Sequence, residues 1–122
     1  MKFDYSGEKP LFQQVANELE KAIFEKIYTA GEQVPSTTEI SNGYQINPAT
    51  VLKGINLLVD EGVVEKRRGI GIFVTENAHT LIAKKRRDTF MKKQLSQFVS
   101  LAKSLGLSQE DVVTLIEKEY IK

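Results

Sequence analysis

A mostly α-helical chain with one small β-hairpin is the fold class this sequence predicts, and three features predict it. Residues 47–62 carry helix start and stop signals around one apolar stripe. Asn47 suits the N-cap, Pro48 the first helical position and Gly62 the left-handed position past the end, while Val51, Ile55, Leu58 and Val59 recur at three and four residues. Directly afterwards, Val63-Val64 and Ile72-Phe73-Val74 flank Lys66-Arg67-Arg68-Gly69-Ile70-Gly71, a short hairpin with a cationic, glycine-containing tip. From about residue 77 apolar residues return at helical spacing, stop at Gly106, and resume after Ser108. The pattern is that of a winged helix-turn-helix followed by two C-terminal helices. Residues 1–75 are expected to form the first domain and residues 76–122 a helical tail.

The elements follow in order. Residues 1–9 read as an extended polar lead-in. Pro10 opens a first helix running to about Lys26, with Leu11, Val15, Leu19, Ala22 and Ile23 as its buried stripe and Phe12, Ala16 and Ile27 widening it. Gly31 and Pro35 bracket a loop. Ser36-Thr37-Thr38-Glu39 is a capping box, in which the serine hydroxyl and the glutamate carboxylate each satisfy an orphan amide at the start of a helix. That short second helix is expected to reach about Asn42, with Gly43 to Ile46 as the turn into the third. Two helices joined by a short glycine-containing turn form the centre of a helix-turn-helix. Gly54 lies inside the third helix, at a cost of about 1 kcal/mol relative to alanine. A close approach by a neighbouring helix or by DNA would account for it, and the sequence does not choose between them. Leu81, Ile82, Met91, Leu95, Phe98, Val99, Ala102 and Leu105 mark a stripe on a fourth helix of up to about 28 residues. Ser108, with Asp111 three residues on, caps the last helix, whose inner face is Val112, Leu115, Ile116 and Tyr120.

Composition excludes several function classes. With 122 residues the chain holds one modest core. The absence of cysteine removes disulfides, thiolate metal sites and cysteine nucleophiles, and the one histidine, His79, reads as an exposed residue near a helix start. No cofactor or metal is expected. There is no phosphate-binding glycine loop, no nucleophile with a base and no acid-base pair at a convincing spacing, so no enzymatic reading arises. No apolar run approaches the roughly 20 residues of a membrane span and no leader is apparent, so a cytoplasmic protein without membrane contact is expected.

The net charge of +1 is low for a nucleic-acid binder, but its distribution is uneven. Cations gather at residues 66–68 and 84–93, and acids at Glu18, Glu20 and Glu25 and at Glu110, Asp111, Glu117 and Glu119. A hairpin tip of consecutive cations gains little from burial and suits a polyanion. The candidate DNA-binding residues are Ser36, Thr37 and Thr38 at a helix start, Asn47, Ala49, Thr50 and Lys53 on the third helix, and Lys66, Arg67, Arg68, Gly69 and Gly71 on the wing. The helix start can offer hydroxyls and amides to phosphate, or cap alone. The wing glycines permit positive φ and a close backbone approach to the minor groove, or simply a tight turn. The run at 84–93 suits a solvated helix face as well as a phosphate contact. The rival to a DNA reader is a winged helix used for protein-protein assembly, its wing meeting an acidic protein. A long and a short amphipathic helix cannot bury both stripes within one subunit, which predicts a homodimer through Leu81, Phe90, Leu95, Phe98, Val99, Ala102, Leu105, Val112, Leu115 and Ile116.

Residues 9–75 resemble the GntR superfamily of bacterial transcription regulators. The match lies in Pro10-Leu11-Phe12-Gln13-Gln14-Val15, in Pro35-Ser36 with Glu39-Ile40, and in Glu61-Gly62-Val63-Val64-Glu65 through Arg68-Gly69-Ile70-Gly71-Ile72-Phe73-Val74. Asn47-Pro48-Ala49-Thr50-Val51 and the short tail are similar to the YtrA-type subfamily, in which two helices for dimerisation replace a large effector domain. The resemblance implies a homodimeric repressor of a nearby operon, often one for an ABC transporter. Two recognition helices related by a dyad must enter successive major grooves on one face of double-stranded DNA, which predicts an inverted-repeat operator. The resemblance leaves open a small-molecule effector of unknown identity. Many members carry arginines that contact DNA where Thr38, Pro48 and Leu52 stand here. Asn47, Thr50 and Lys53 are then the base-reading candidates, with more weight on the wing and on phosphate contacts.

Overall fold

The computed structural model describes residues 1–122. The chain orders as α1 (Leu11–Phe24), β1 (Gln33–Val34), α2 (Thr37–Tyr44), α3 (Pro48–Asp60), β2 (Val64–Arg67), β3 (Gly71–Val74), α4 (Ala78–Thr89), a π-helical segment (Phe90–Gln94), α5 (Leu95–Ser104) and α6 (Gln109–Ile121). It divides into two compact units, Met1–Lys84 and Lys85–Lys122. None of its helices is long and apolar enough to cross a membrane.

In the first unit Val15, Leu19 and Ile23 of α1 meet Val51, Ile55 and Leu58 of α3, with Ile40, Val34, Val64, Ile72 and Val74 completing the core. The capping box at α2 is present: the Glu39 amide donates to Ser36 Oγ at 3.0 Å, and the Ser36 amide to Glu39 Oε1 at 3.2 Å. At the end of α3 the Gly62 amide donates to the Val59 carbonyl and the Val63 amide to the Leu58 carbonyl, with Gly62 at φ 79°. This is the Schellman stop that the glycine predicted.

Four local expectations change. Helix α2 runs through Gly43 to Tyr44, and Gln45, left-handed at φ 55° and ψ 47°, makes the turn. The buried Ser41 hydroxyl donates to the Ile46 carbonyl at 2.6 Å and ties that turn to the helix. Helix α1 stops at Phe24 because Lys26 adopts φ 63°, which leaves Ile27 exposed rather than on the buried stripe. The lead-in is docked. Asp4 and Gln14 exchange two hydrogen bonds of 2.8 Å, Phe3 meets Tyr44 edge-on at 5.1 Å, and the Tyr5 hydroxyl donates to the Tyr44 carbonyl. The hairpin gains a third strand, β1, which pairs antiparallel with β3 through Gln33 with Phe73 and Val34 with Ile72, giving the order β1-β3-β2.

The expected fourth helix is interrupted by the π-helical segment, and its stripe is not continuous. Ile82 and Met91 stand nine residues apart, half a turn out of phase at about 100° per residue. Ile82 is fully buried in the first unit's core, whereas Met91 is exposed. In the second unit α5 ends at Gly106 with another Schellman stop, Leu107 N to Ala102 O at 3.0 Å, and α6 begins with the expected box between Ser108 and Asp111. Among residues 85–122 only Ala102 is buried.

Gly54 accounts for the α1–α3 spacing. A Cβ there would stand 2.5 Å from the Phe12 carbonyl oxygen and 3.0 Å from Val15, so the near neighbour that demands glycine is α1. Gly54→Ala is expected to destabilise the protein by about 1–2 kcal/mol despite better helix propensity, since overpacking costs about 1–3 kcal/mol. The same change at Gly43, where a Cβ meets nothing within 4 Å, should stabilise by up to about 1 kcal/mol. Urea unfolding of the two variants checks the pair, and equal midpoints would contradict it.

The box at α6 carries a pH dependence. Hydrogen bonds from the Ser108 backbone and side chain hold the Asp111 carboxyl below its ordinary value of 3.8. With the folded value lower than the unfolded one, the carboxylate's contribution is present above pH 3.8 and lost as the pH falls through the folded value. Helicity followed by circular dichroism from about pH 5 to pH 2 should fall more in the wild type than in Asp111→Asn.

Candidate nucleic-acid interface

The outward face of α3 is set by its buried one. With Val51, Gly54, Ile55 and Leu58 turned to the core, Ala49, Leu52, Lys53 and Asn56 share the opposite side at three- and four-residue spacing. Ala49, Leu52 and Lys53 are exposed and Asn56 is half-buried. Asn47 is the N-cap, its Oδ1 accepting the Ala49 amide at 2.8 Å. Its side chain is thereby committed to the helix start, so the two-point adenine contact open to a free asparagine is not available to it. Thr50 is half-buried. The Lys53 ammonium lies 4.0 Å from the centroid of the Phe12 ring, so α1 supplies a platform for this cation.

The wing follows from strand alternation. Val64 and Lys66 occupy one face of β2, Glu65 and Arg67 the other, with Lys66 opposite Ile72 and Arg67 opposite Gly71. On the inner face the Lys66 ammonium donates to Asn56 Oδ1 of α3. On the outer face Arg67 pairs with Glu65 at 3.0 Å and stacks its guanidinium 4.1 Å from the Phe73 ring centroid. Both partners of that ion pair are about half exposed, so the pair orients Arg67 more than it stabilises the hairpin.

Arg68, Gly69 and Ile70 form the tip, closed by the Ile70 amide donating to the Arg67 carbonyl at 2.9 Å. Gly69 stands at φ 75° with nothing within 4 Å of a Cβ, so the protein leaves its backbone open to approach. Gly71 has another role. The Gln33 side chain of β1 occupies the space of its missing Cβ and donates to the Ile70 carbonyl at 3.2 Å, bracing the wing from the third strand. Sequence reasoning passed over Gln33, Asn56 and Phe12 here, and named Leu52 only as a place where many family members carry an arginine. Only Asn56 had a usable signal, one helical turn beyond Leu52-Lys53 on the same face.

The remaining candidates are dispersed. Ser36 caps α2, while Thr37 is half-buried and Thr38 exposed at the same helix start. Leu81 lies over Gly62 in the first unit, 3.6 Å from where a Cβ would be. His79 is exposed and stacks on Phe24 with ring centroids 5.2 Å apart. In the second unit Phe90, Leu95, Phe98, Val99, Leu105, Leu115 and Ile116 are exposed, Val112 is half-buried and Ala102 buried. Val99, Ala102, Leu107, Val112 and Val113 line an open apolar groove between α5 and α6.

Three helices, a three-stranded sheet and a basic wing define a winged-helix protein. Residues 11–74 match the model of the gntR family of bacterial regulatory proteins, and the chain belongs to that family. It is 29% identical over 110 residues to the HTH-type transcriptional repressor YtrA of Bacillus subtilis, covering 90% of this chain and 84% of that one. It is also 29% identical over 109 residues to the uncharacterized HTH-type transcriptional regulator YhcF of the same organism, covering 89% and 88%. Among solved structures, a GntR family transcriptional regulator from Listeria monocytogenes superposes with a TM-score of 0.72 at 26% identity over 95% of this chain and 98% of that one. YtrA from Sulfolobus acidocaldarius, a GntR-family transcription factor, shares the fold with a TM-score of 0.57 at 21% identity, covering 98% and 96%. The similarity extends through the short tail, as in the YtrA-type subfamily. The protein is a DNA-binding transcription regulator, and the assembly-module reading falls away.

Proposed function

We propose that this regulator is a homodimeric repressor that binds an inverted-repeat operator, with α3 in the major groove and the basic wing, residues 66–71, in the adjacent minor groove. The observation that carries this reading is the hydrogen bond from Lys66 to Asn56, which joins the wing to the outward face of the helix. Helix and hairpin thereby present one surface. Arg68 and the open backbone of Gly69 lead at the tip, where a phosphate or a groove floor meets no protein atom first. Thr37 and Thr38 at the start of α2 can add phosphate contacts. The repressor sense draws support from the similarity to YtrA of Bacillus subtilis, and the resemblance to YtrA-type regulators suggests a nearby ABC-transporter operon as target.

The dimer is argued from the second unit. Residues 85–122 bury only Ala102, and pieces below about 40 residues seldom stand without a partner. The exposed row Phe90, Leu95, Phe98 and Val99 with Leu115 and Ile116 of α6 is suited to a second copy related by a dyad. The division of labour is then a DNA-binding part in residues 1–75 and a dimerisation part in residues 76–122, of which the first turns, with Ala78 and Ile82, pack into the first unit's core. Sedimentation equilibrium at micromolar concentration should give twice the mass of one chain, and Phe98→Asp with Leu95→Asp should shift it towards one. A wild type of single-chain mass would sink the dimer.

The wing is tested by salt. Arg67→Ala with Arg68→Ala should weaken binding to every duplex and reduce the magnitude of d log K/d log[salt] by about 0.9 for each phosphate that the wing no longer neutralises. An unchanged slope with unchanged affinity would mean that the wing does not touch DNA.

A further inference from the structure

Most polar side chains on the outward side of α3 are already engaged within the protein. Asn47 Oδ1 holds the Ala49 amide at 2.8 Å, the Lys53 ammonium rests 4.0 Å from the Phe12 ring centroid, and Asn56 Oδ1 accepts from Lys66. Between them the surface is apolar. Leu52 is 40% exposed and lies outside the core, and Ala49, one turn earlier, is also exposed. Residues three apart adjoin on a helix surface, so the two form one small patch.

That patch is ringed by Lys53 and, through Asn56, by Lys66, a setting that favours a polyanion over an apolar protein surface. On base-pair edges in the major groove the apolar group is the 5-methyl of thymine. We propose that Leu52, seated beside Ala49, determines operator specificity by packing on thymine methyl groups, so each half-site carries an A·T pair where Leu52 meets the groove. The inference rests on the reading of α3 as the major-groove helix and names what that helix reads. Lys53 then serves as a neighbouring cation positioned by Phe12, and Asn56 as the strut that fixes the wing.

The test uses the full chain and duplexes selected by it from a random library. Each thymine of a selected half-site is replaced in turn by deoxyuridine, which lacks only the methyl, and binding is titrated for wild type, Leu52→Ala and Leu52→Met. At one or more positions deoxyuridine should weaken wild-type binding about fourfold, the equivalent of about 0.8 kcal/mol for a buried methyl-sized group. Leu52→Met should retain that sensitivity and Leu52→Ala should lose it. The wild-type response is read on DNA changes alone, so it stands even if a variant folds poorly. Selective binding that is indifferent to every methyl, selected half-sites without thymine, or a folded Leu52→Ala as methyl-sensitive as wild type would overturn the inference while leaving the major-groove reading intact. Failure to select any duplex would overturn both.

Discussion

The outward face of α3 depends on the contact between the Phe12 carbonyl and Gly54. With only 2.5 Å between that oxygen and the position of a Cβ, α1 and α3 approach too closely for a side chain at residue 54. The spacing fixes how α3 is turned: Val51, Ile55 and Leu58 are fully enclosed, and Ala49, Leu52, Lys53 and Asn56 are left outward. It also brings the Phe12 ring beside α3, where it can hold Lys53. From Asn56 the constraint passes to Lys66, and Gln33 braces the far side of the hairpin at Ile70. The helix is thus positioned by packing that its outward residues do not supply, and the wing is held to it through one of them, Asn56.

Electrostatics works by placement here rather than by total. A chain of net charge +1 keeps Arg68 at the far end of a hairpin and steadies Arg67 between Glu65 and Phe73. Fixing a guanidinium before an encounter reduces the rotamer entropy that binding must remove, since a long cationic side chain gives up about 1.5–2 kcal/mol when immobilised. The second unit shows the opposite economy. It spends its composition on apolar side chains that one copy leaves in water, which is the surface expected of a chain that completes its fold by association.

Much of this architecture was legible in the sequence because it is written in short-range signals. Both capping boxes, the glycine stops after α3 and α5 and the alternation of the wing occupy windows of a few residues in which one chemistry dominates. The features that were not legible depend on tertiary context. Strand β1 is two residues long, too short to show alternation, and exists because β3 offers it an edge. Gln45 adopts the left-handed turn without a glycine because the Ser41 hydroxyl and the Ile46 backbone lock it in place. The lead-in looks polar, yet Phe3 and the reciprocal Asp4–Gln14 bonds dock it on α1 and α2. The π-helical segment at Phe90–Gln94 interrupts the expected fourth helix, in which Ile82 and Met91 already stand half a turn out of phase. At the candidate site the residue types were visible, but not their commitments: Asn47 to its own helix, Lys53 to Phe12 and Asn56 to Lys66.

The central claim is that α3 and the wing act as one face, repeated by a dyad. Hydroxyl-radical footprinting of the full chain on a DNA fragment selected from its own genome tests it most directly. The account predicts two protected half-sites related by two-fold symmetry, with centres about one helical turn or a multiple of it apart, and in each a minor-groove patch flanking the occupied major groove. A single asymmetric footprint, or half-sites that lack the flanking minor-groove protection, would contradict it.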